Sequence, residues 1–208
     1  GGIDPLIFNI IKNGGVAIIL SLLLISKSNL KSLTSLTHSQ WMKLIFIGII
    51  GGSIPFVLFF EGLKIVSAVD ANLVHKSLFI WTSLMAIGIL GEKLNIWQIA
   101  GYVIIAIGNI FIFGLSGIGS NPGILLIFMA TLLWSMENII VKITLADTDY
   151  KIVAWGRMVI GSFILIAIAL MQNKLILFTR LSPAQIIPVF TSIILLSLYV
   201  ITLFKALK

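Results

Sequence analysis

The chain has 208 residues, of which 59% are hydrophobic and only 10% are charged. A soluble domain carries about 25% charged residues, so this composition excludes a soluble globular protein and predicts an all-α, multi-span membrane protein. The net charge of +7 comes without a basic run, and Lys and Arg collect in the loops of membrane proteins. We therefore exclude nucleic acid as a partner. The absence of cysteine excludes disulfides, thiolate nucleophiles and cysteine-ligated metals.

Apolar stretches of about 20 residues predict roughly seven spanning helices. Their starts carry helix-capping residues: Asp4-Pro5 and Asn121-Pro122 each place a cap before a proline. Thr37-x-x-Gln40 and Ser182-Pro183-x-Gln185 are capping boxes. In chain order, the predicted spans cover about residues 5–26, 37–64, 67–90, 95–114, 121–145, 149–171 and 182–203.

Two features of the second predicted span shape its helix. The small residues of Gly48-x-x-x-Gly52 allow another helix to approach closely, and Pro55 predicts a kink. Outside the spans, residues 26–39 are expected to form a polar loop, and residues 116–121 an uncharged linker rich in glycine.

A polar stripe marks the third predicted span, around which we expect the protein to be organised. On one helix, Asn72 and Lys76 share a face, Ser83 follows two turns on, and His75 lies one step round. A cation within a spanning helix costs roughly 2.5–3.5 kcal/mol on insertion scales. We therefore expect the stripe to face a partner or a substrate cavity. The alternative, that Lys76 snorkels to the headgroups, stays open from sequence alone.

Glu137 lies near the middle of the fifth predicted span and is the most deeply embedded acidic residue of the chain. We predict it as a proton-coupling group, together with His75, because an imidazole changes its charge near neutral pH. The alternatives are a structural ion pair with Lys76 or Arg157, or a polar contact to Asn138.

Further candidate residues within the predicted spans are two cations and two tryptophans. Lys12 and Arg157 are candidates for binding an anionic group, since a guanidinium binds a carboxylate or phosphate with two hydrogen bonds; snorkelling is the alternative for both. Aromatic residues at span ends are usually interfacial, so only the more central Trp81 and Trp134 are candidates for packing against a substrate ring.

The chain shows signs of an internal repeat. The segment from Asp4 to Lys12 aligns with the segment from Asp149 to Arg157, and the same offset aligns the two capping boxes. We predict a first repeat over residues 1–116 and a second over residues 117–208. The simplest parent has two copies of five spans, which makes the copies inverted, as in many secondary transporters. On this expectation the chain lacks the first span and the last two, and as given does not transport.

Several short motifs carry a resemblance to a known family. They are Gly62-Leu63-Lys64-x-x-Ser67-Ala68, Ala71-Asn72-Leu73, Leu90-Gly91-Glu92-Lys93-Leu94 and the segment from Gly101 to Gly108. Together they resemble the EamA-like domain of the drug/metabolite transporter superfamily. The resemblance implies ten helices in two inverted halves around a central cavity, and transport of small metabolites by alternating access without covalent chemistry. Where many members have a Glu-Pro pair, this chain has Leu78-Phe79.

These observations predict a secondary active transporter of small polar or anionic metabolites, in the plasma membrane of the cell. The expected partners are a small metabolite and the lipid bilayer, and a homodimer is left open as the assembly. The alternatives are a structural or channel-forming subunit and, with less support, a membrane-embedded enzyme.

We predict that the protein is not an enzyme and holds no cofactor or metal, because the sequence has no H-E-x-x-H motif, acidic cluster or phosphate-binding loop. The predicted substrate-binding residues are Asn72, His75, Lys76, Trp81, Ser83, Trp134, Arg157 and Lys12, and the predicted proton-coupling residues are Glu137 and His75.

Overall fold

The structure, a computed structural model, describes residues 3–25, 27–113, 121–180 and 182–208. These residues form ten α-helices and a 3₁₀ helix at Leu175–Arg180. The α-helices are α1 Pro5–Leu23, α2 Lys27–Thr34, α3 His38–Ile50, α4 Ile54–Leu63, α5 Ala68–Lys76, α6 Leu78–Leu90, α7 Ile96–Phe113, α8 Pro122–Leu145, α9 Tyr150–Met171 and α10 Pro183–Leu207.

The predicted fold class is confirmed: this is a multi-span helical membrane protein. Six stretches of the described residues are long and apolar enough to cross a membrane. They are Pro5–Leu23, His38–Leu63, Ala68–Leu90, Pro122–Leu145, Tyr150–Met171 and Pro183–Leu207. The remaining predicted span, residues 95–114, corresponds to α7, whose apolar stretch Ile96–Gly108 is shorter than the other six.

The helix starts follow the predicted caps. The side chain of Asp4 accepts hydrogen bonds from the backbone of α1, and Asp149 accepts one from Lys151 N at 2.8 Å at the start of α9. Thr37 and Gln40 form a complete capping box, with Thr37 N donating to Gln40 Oε1 at 2.8 Å. At the start of α10, Gln185 Oε1 accepts from Ser182 N at 3.0 Å. The aligned halves of the sequence therefore begin their helices with the same chemistry.

Two expectations about connections and about unbroken spanning helices need correction, and one falls largely outside the described residues. The expected polar loop contains the helix α2, because Leu33 and Leu36 pack against the hydrophobic core and anchor this segment. Most of the expected glycine-rich linker, residues 114–120, lies outside the described residues. The second and third spans, expected as a kinked and a continuous helix, are each divided into two helices: α3 and α4, and α5 and α6.

The division between α5 and α6 falls at Ser77, a residue that the sequence did not single out. Ser77 Oγ donates to Val74 O at 2.6 Å, and Ser77 N donates to the same carbonyl at 3.1 Å. A serine that bonds back to the preceding turn competes with the regular helical pattern and bends helices. The helical register that placed Lys76 and Ser83 on one face is therefore interrupted between them.

The chain divides into two compact units, called here the first and the second unit. The first unit comprises Gly1–Ile54 and Ile140–Lys208, and the second comprises Pro55–Ile139. In the first unit α9 packs against α1 and α3, and α1 also packs against α10. The helix α9 also packs against α10. The repeat boundary at residue 116 itself stays a prediction.

Glycines allow backbone contact between α3 and α9 in the first unit, as the Gly48-x-x-x-Gly52 pattern predicts. A Cβ atom added to Gly161 would lie 2.6 Å from the carbonyl oxygen of Gly52 and 2.7 Å from its Cα atom. A Cβ atom added to Gly48 would lie 2.6 Å from Cγ2 of Ile160. In the second unit, Gly62 and Gly123 bring α4 and α8 together in the same way, since a Cβ on Gly62 would lie 2.7 Å from Gly123 O.

We expect Gly161→Ala to destabilise the protein by about 1–3 kcal/mol, because the atoms that its Cβ would meet are backbone atoms that cannot move aside. Gly14→Ala is the matched control, since an added Cβ there meets nothing within 4 Å. Thermal unfolding of both variants in detergent measures the difference. Equal melting temperatures for the two variants would contradict the close packing of α3 against α9.

An ion pair between Lys43 of α3 and Asp147, which lies between α8 and α9, makes stability depend on pH. Lys43 Nζ lies 2.9 Å from Asp147 Oδ2, and this hydrogen bond, followed by that from Thr148, lowers the pKa of Asp147. A carboxylate with a lowered folded-state pKa contributes stability at pH values above its unfolded pKa. This stability is lost as the pH falls through the folded-state pKa.

We expect Asp147→Asn to reduce the loss of stability below about pH 4, by less than about 1 kcal/mol because the pair is solvent-exposed. Unfolding midpoints between pH 7 and pH 3 provide the measurement; parallel curves for both proteins would contradict this role.

Candidate functional site

The second predicted span is interrupted at Gly51–Ser53, a segment called here the α3 break. At the end of a helix the last carbonyl groups lose the N–H donors of the following turn. Pro55 adds to this loss, because it has no N–H to donate to the carbonyl of Gly51, four residues earlier. Within a bilayer each unsatisfied backbone group costs several kcal/mol. The carbonyl groups at the α3 break therefore need other donors.

Three buried side chains supply these donors. Ser53 Oγ donates to Ile49 O at 3.0 Å, Arg157 Nη2 donates to Gly51 O at 3.1 Å, and Asn13 Nδ2 donates to Gly52 O at 3.1 Å. Ser53 and Asn13 are fully buried, and Arg157 is 6% exposed. Arg157 also places a positive charge at the C-terminal end of α3, where the helix dipole is negative. The break is thus stabilised by side chains from α1 and α9.

Lys12 lies beside these groups on α1. Its ammonium donates to Asn9 Oδ1 at 3.0 Å and lies 5.3 Å from the centre of the Phe8 ring. Asn9 is buried and donates from Nδ2 to Pro5 O at 2.9 Å. The positive charge of Arg157 acts on Lys12. The spanning helices of the first unit therefore include the cations Lys12 and Arg157 and the amides Asn9 and Asn13, residue types that can bind a carboxylate or a phosphate.

In the second unit the side chain of His75 lies among aromatic rings. Its ring centre is 5.0 Å from that of Trp134 and 5.4 Å from that of Phe59, and Phe56 packs on the same tryptophan at 5.2 Å. His75 Nδ1 is buried and has no hydrogen-bond partner among the described residues. These contacts place His75 against α4 and α8.

The other members of the polar stripe are placed differently. Ser83 Oγ donates to the Tyr102 hydroxyl of α7 at 2.6 Å, whereas Asn72 and Lys76 have exposed side chains. The exposed side chains of the stripe belong to α5, and Ser83 belongs to α6.

Trp81 and Glu137 complete the predicted site residues. Trp81 Nε1 donates to Ser77 Oγ at 3.0 Å and its ring packs against Phe128 at 5.3 Å, so this tryptophan supports the division between α5 and α6. Glu137 on α8 is 3% exposed. Next to it on α8, Ser135 Oγ donates to Leu78 O at 3.2 Å, which ties α8 to the start of α6.

Sequence reasoning missed several residues that pair polar groups or pack at these sites. They are Asn9, Asn13, Ser53, Phe59, Ser77 and Tyr102. A signal existed for two of them, since Asn9 and Asn13 are one turn apart on α1 and flank Lys12. The pairing of Asn13 with Gly52 spans 39 residues, and nothing in the local sequence indicates it.

Comparison with known proteins decides the family. A model described as the EamA-like transporter family matches residues 1–114. The chain belongs to this family. The matched region of this EamA-like protein contains α1 with Lys12 and Asn13, the α3 break, His75 with Phe56 and Phe59, and the motif at Leu90-Gly91-Glu92-Lys93. In that motif Gly91 adopts φ +68° and ends α6 in the left-handed conformation that suits glycine.

A solved structure titled "Crystal structure of protein" shares the fold of this EamA-like chain, with a TM-score of 0.66 and 18% sequence identity. The similarity covers 82% of this chain and 58% of that chain. The chain therefore spans less than two thirds of that protein, and at this identity the similarity concerns the fold alone. No curated protein matches the chain. These findings agree with membership of the drug/metabolite transporter superfamily.

We expect Arg157→Met to lower the stability of this EamA-like protein by about 1–3 kcal/mol, because the carbonyl of Gly51 would lose a buried charged donor. Lys151→Met on the same helix is the matched control, since Lys151 lies at the start of α9 beside the Tyr150 ring. Chemical unfolding in detergent compares the two variants. An Arg157→Met protein as stable as the control would contradict the role of this guanidinium at the α3 break.

Proposed function

We propose that the protein is a secondary active transporter that moves small polar or anionic metabolites across the membrane by alternating access. Family membership supports a membrane transporter of the drug/metabolite type. The observation that carries the proposal further is the α3 break, where buried Arg157 and the neighbouring Lys12 lie within spanning helices. Interrupted spanning helices are typical of substrate sites in secondary transporters.

Cations within a membrane are costly, and they usually mark a substrate or ion pathway. We propose that Lys12 and Arg157 bind the negatively charged group of the solute. A guanidinium carries five N–H donors. A role of Arg157 at the α3 break is therefore compatible with contact to a solute.

In the second unit we assign Asn72, His75, Lys76, Trp81, Ser83 and Trp134 to solute binding, as the sequence suggested. We propose that Glu137 and His75 take up and release the coupling proton. His75 has a buried nitrogen with unused hydrogen-bonding capacity among the described residues, which suits a group that exchanges a proton. The proposed cycle involves no covalent chemistry, so we do not propose an enzyme. The plasma membrane as location and a homodimer as assembly stay predictions.

Uptake by reconstituted protein tests the proposal. The full-length protein in liposomes is given labelled carboxylates, phosphate esters, sugars and amines, with and without a proton gradient. We expect saturable uptake of an anionic or polar solute that rises with the gradient. Intact, folded protein that moves none of these solutes would contradict transport, and ion conductance without saturation would favour a channel.

Lys76→Ala tests the assignment in the second unit. We expect uptake of an anionic solute to fall at least about tenfold, since the solute would lose an ion pair on binding and a tenfold change corresponds to about 1.4 kcal/mol. Lys205→Ala is the matched control: Lys205 is exposed at the end of α10, and we expect its variant to keep the wild-type rate. Wild-type uptake by the Lys76→Ala protein would remove this lysine from the mechanism.

A further inference from the structure

Asn13 has an unused hydrogen-bond acceptor in the interior of the first unit. Its side chain is fully buried, and Oδ1 has no hydrogen-bond partner among the described residues. Buried polar side-chain atoms nearly always have a partner, and leaving one without a partner costs about 1–3 kcal/mol. We therefore expect this unpaired acceptor within a spanning helix to accept a hydrogen bond from a group outside the described residues.

The orientation of the Asn13 amide is fixed by the α3 break. Nδ2 donates to Gly52 O at 3.1 Å. Rotating the amide by half a turn would place Oδ1 against this carbonyl oxygen, and two acceptors would face each other. The amide nitrogen is thus committed to the backbone, and Oδ1 is left to accept a hydrogen bond from elsewhere.

The surroundings of this acceptor are positively charged. Lys12 is the preceding residue, and Arg157 donates to Gly51 O, the carbonyl next to the one that Asn13 binds. Gly51 and Gly52 are adjacent in the chain, so Arg157 and Asn13 bind neighbouring carbonyl groups.

We propose that Asn13 Oδ1 accepts a hydrogen bond from a hydroxyl group of the transported anion, so that Asn13 selects hydroxylated anions such as small hydroxycarboxylates. This inference rests on the proposed function, in which Lys12 and Arg157 bind the acidic group. The nearby cations repel an ammonium donor, whereas a hydroxyl group donates without a charge. The acceptor is enclosed in this structure and becomes accessible when the site opens to one side.

Two matched solutes test the inference in the full-length reconstituted protein. Lactate and propionate differ only by a hydroxyl group, and alanine places an ammonium at the same carbon. We expect the wild type to transport lactate with a kcat/KM at least about tenfold higher than that of propionate or alanine, because a site built to hydrogen-bond a hydroxyl group discriminates against an analogue without it. A wild-type protein that handles lactate and propionate equally would overturn the inference.

Asn13→Leu replaces the amide by an apolar side chain of similar shape. This variant distinguishes a role of Asn13 in solute recognition from a role in stabilising the α3 break. If Oδ1 contacts the solute, the lactate-to-propionate ratio falls toward one. If Asn13 only supports the α3 break, or if a water molecule occupies the acceptor, both rates fall together and the ratio is unchanged, which overturns the inference. The ratio does not depend on the folded fraction of a preparation. Asn13→Ser, a smaller change that keeps a hydroxyl donor, serves if the leucine variant does not fold.

The outcomes also distinguish the inference from the proposed function. The protein could transport other solutes of the wider screen and either treat lactate and propionate alike or transport neither of them. Such a result overturns only the role of Asn13. Failure to transport any solute in the screen overturns the proposed function.

Discussion

The first unit depends on one constraint: backbone carbonyl groups exposed by a broken helix within the membrane must find donors inside the protein. The α3 break exposes the carbonyls of Gly51 and Gly52, and Arg157 and Asn13 pair them. These bonds require α9 and α1 to lie next to the end of α3. The contact between Gly161 and the backbone of Gly52 provides this proximity for α9. Close glycine packing and buried polar residues are therefore parts of the same arrangement.

At the division at Ser77, two of the three hydrogen bonds join residues within one turn of each other. Ser77 Oγ donates to Val74 O, Trp81 donates to Ser77 Oγ, and Ser135 of α8 donates to Leu78 O. Both interruptions nevertheless leave polar atoms in excess. Among the described residues, the buried side-chain atoms without a hydrogen-bond partner are Asn13 Oδ1, His75 Nδ1 and Thr82 Oγ1. Asn13 also donates to a carbonyl group of the α3 break, and His75 and Thr82 lie on either side of Ser77 in the sequence. The unpaired atoms therefore belong to residues near the two interruptions.

Local chemistry made much of the fold predictable from the sequence. Asp4, Asp149 and the capping boxes mark helix starts because caps act within one turn, and Gly48-x-x-x-Gly52 predicted a close approach because small size acts at the contact itself. Features that depend on distant residues were not predictable. The helix α2 is anchored by Leu33, which packs against the core, and the role of Asn13 depends on a carbonyl 39 residues away. Pro55 predicted a kink near the correct place, but not the side chains that pair the carbonyls it leaves without a donor.

The most direct test of this account is a distance within the α3 break. In protein labelled with ¹³C at the Gly51 carbonyl and with ¹⁵N in the guanidinium of Arg157, solid-state NMR in lipid bilayers measures the dipolar coupling between the two sites. Arg157 Nη2 lies 3.1 Å from Gly51 O, so we expect a nitrogen-to-carbonyl-carbon distance of roughly 4 Å once the C=O bond of about 1.23 Å is included. A clear coupling at this distance would support the account. Absence of a measurable coupling would show that Arg157 does not pair the broken helix and would contradict it.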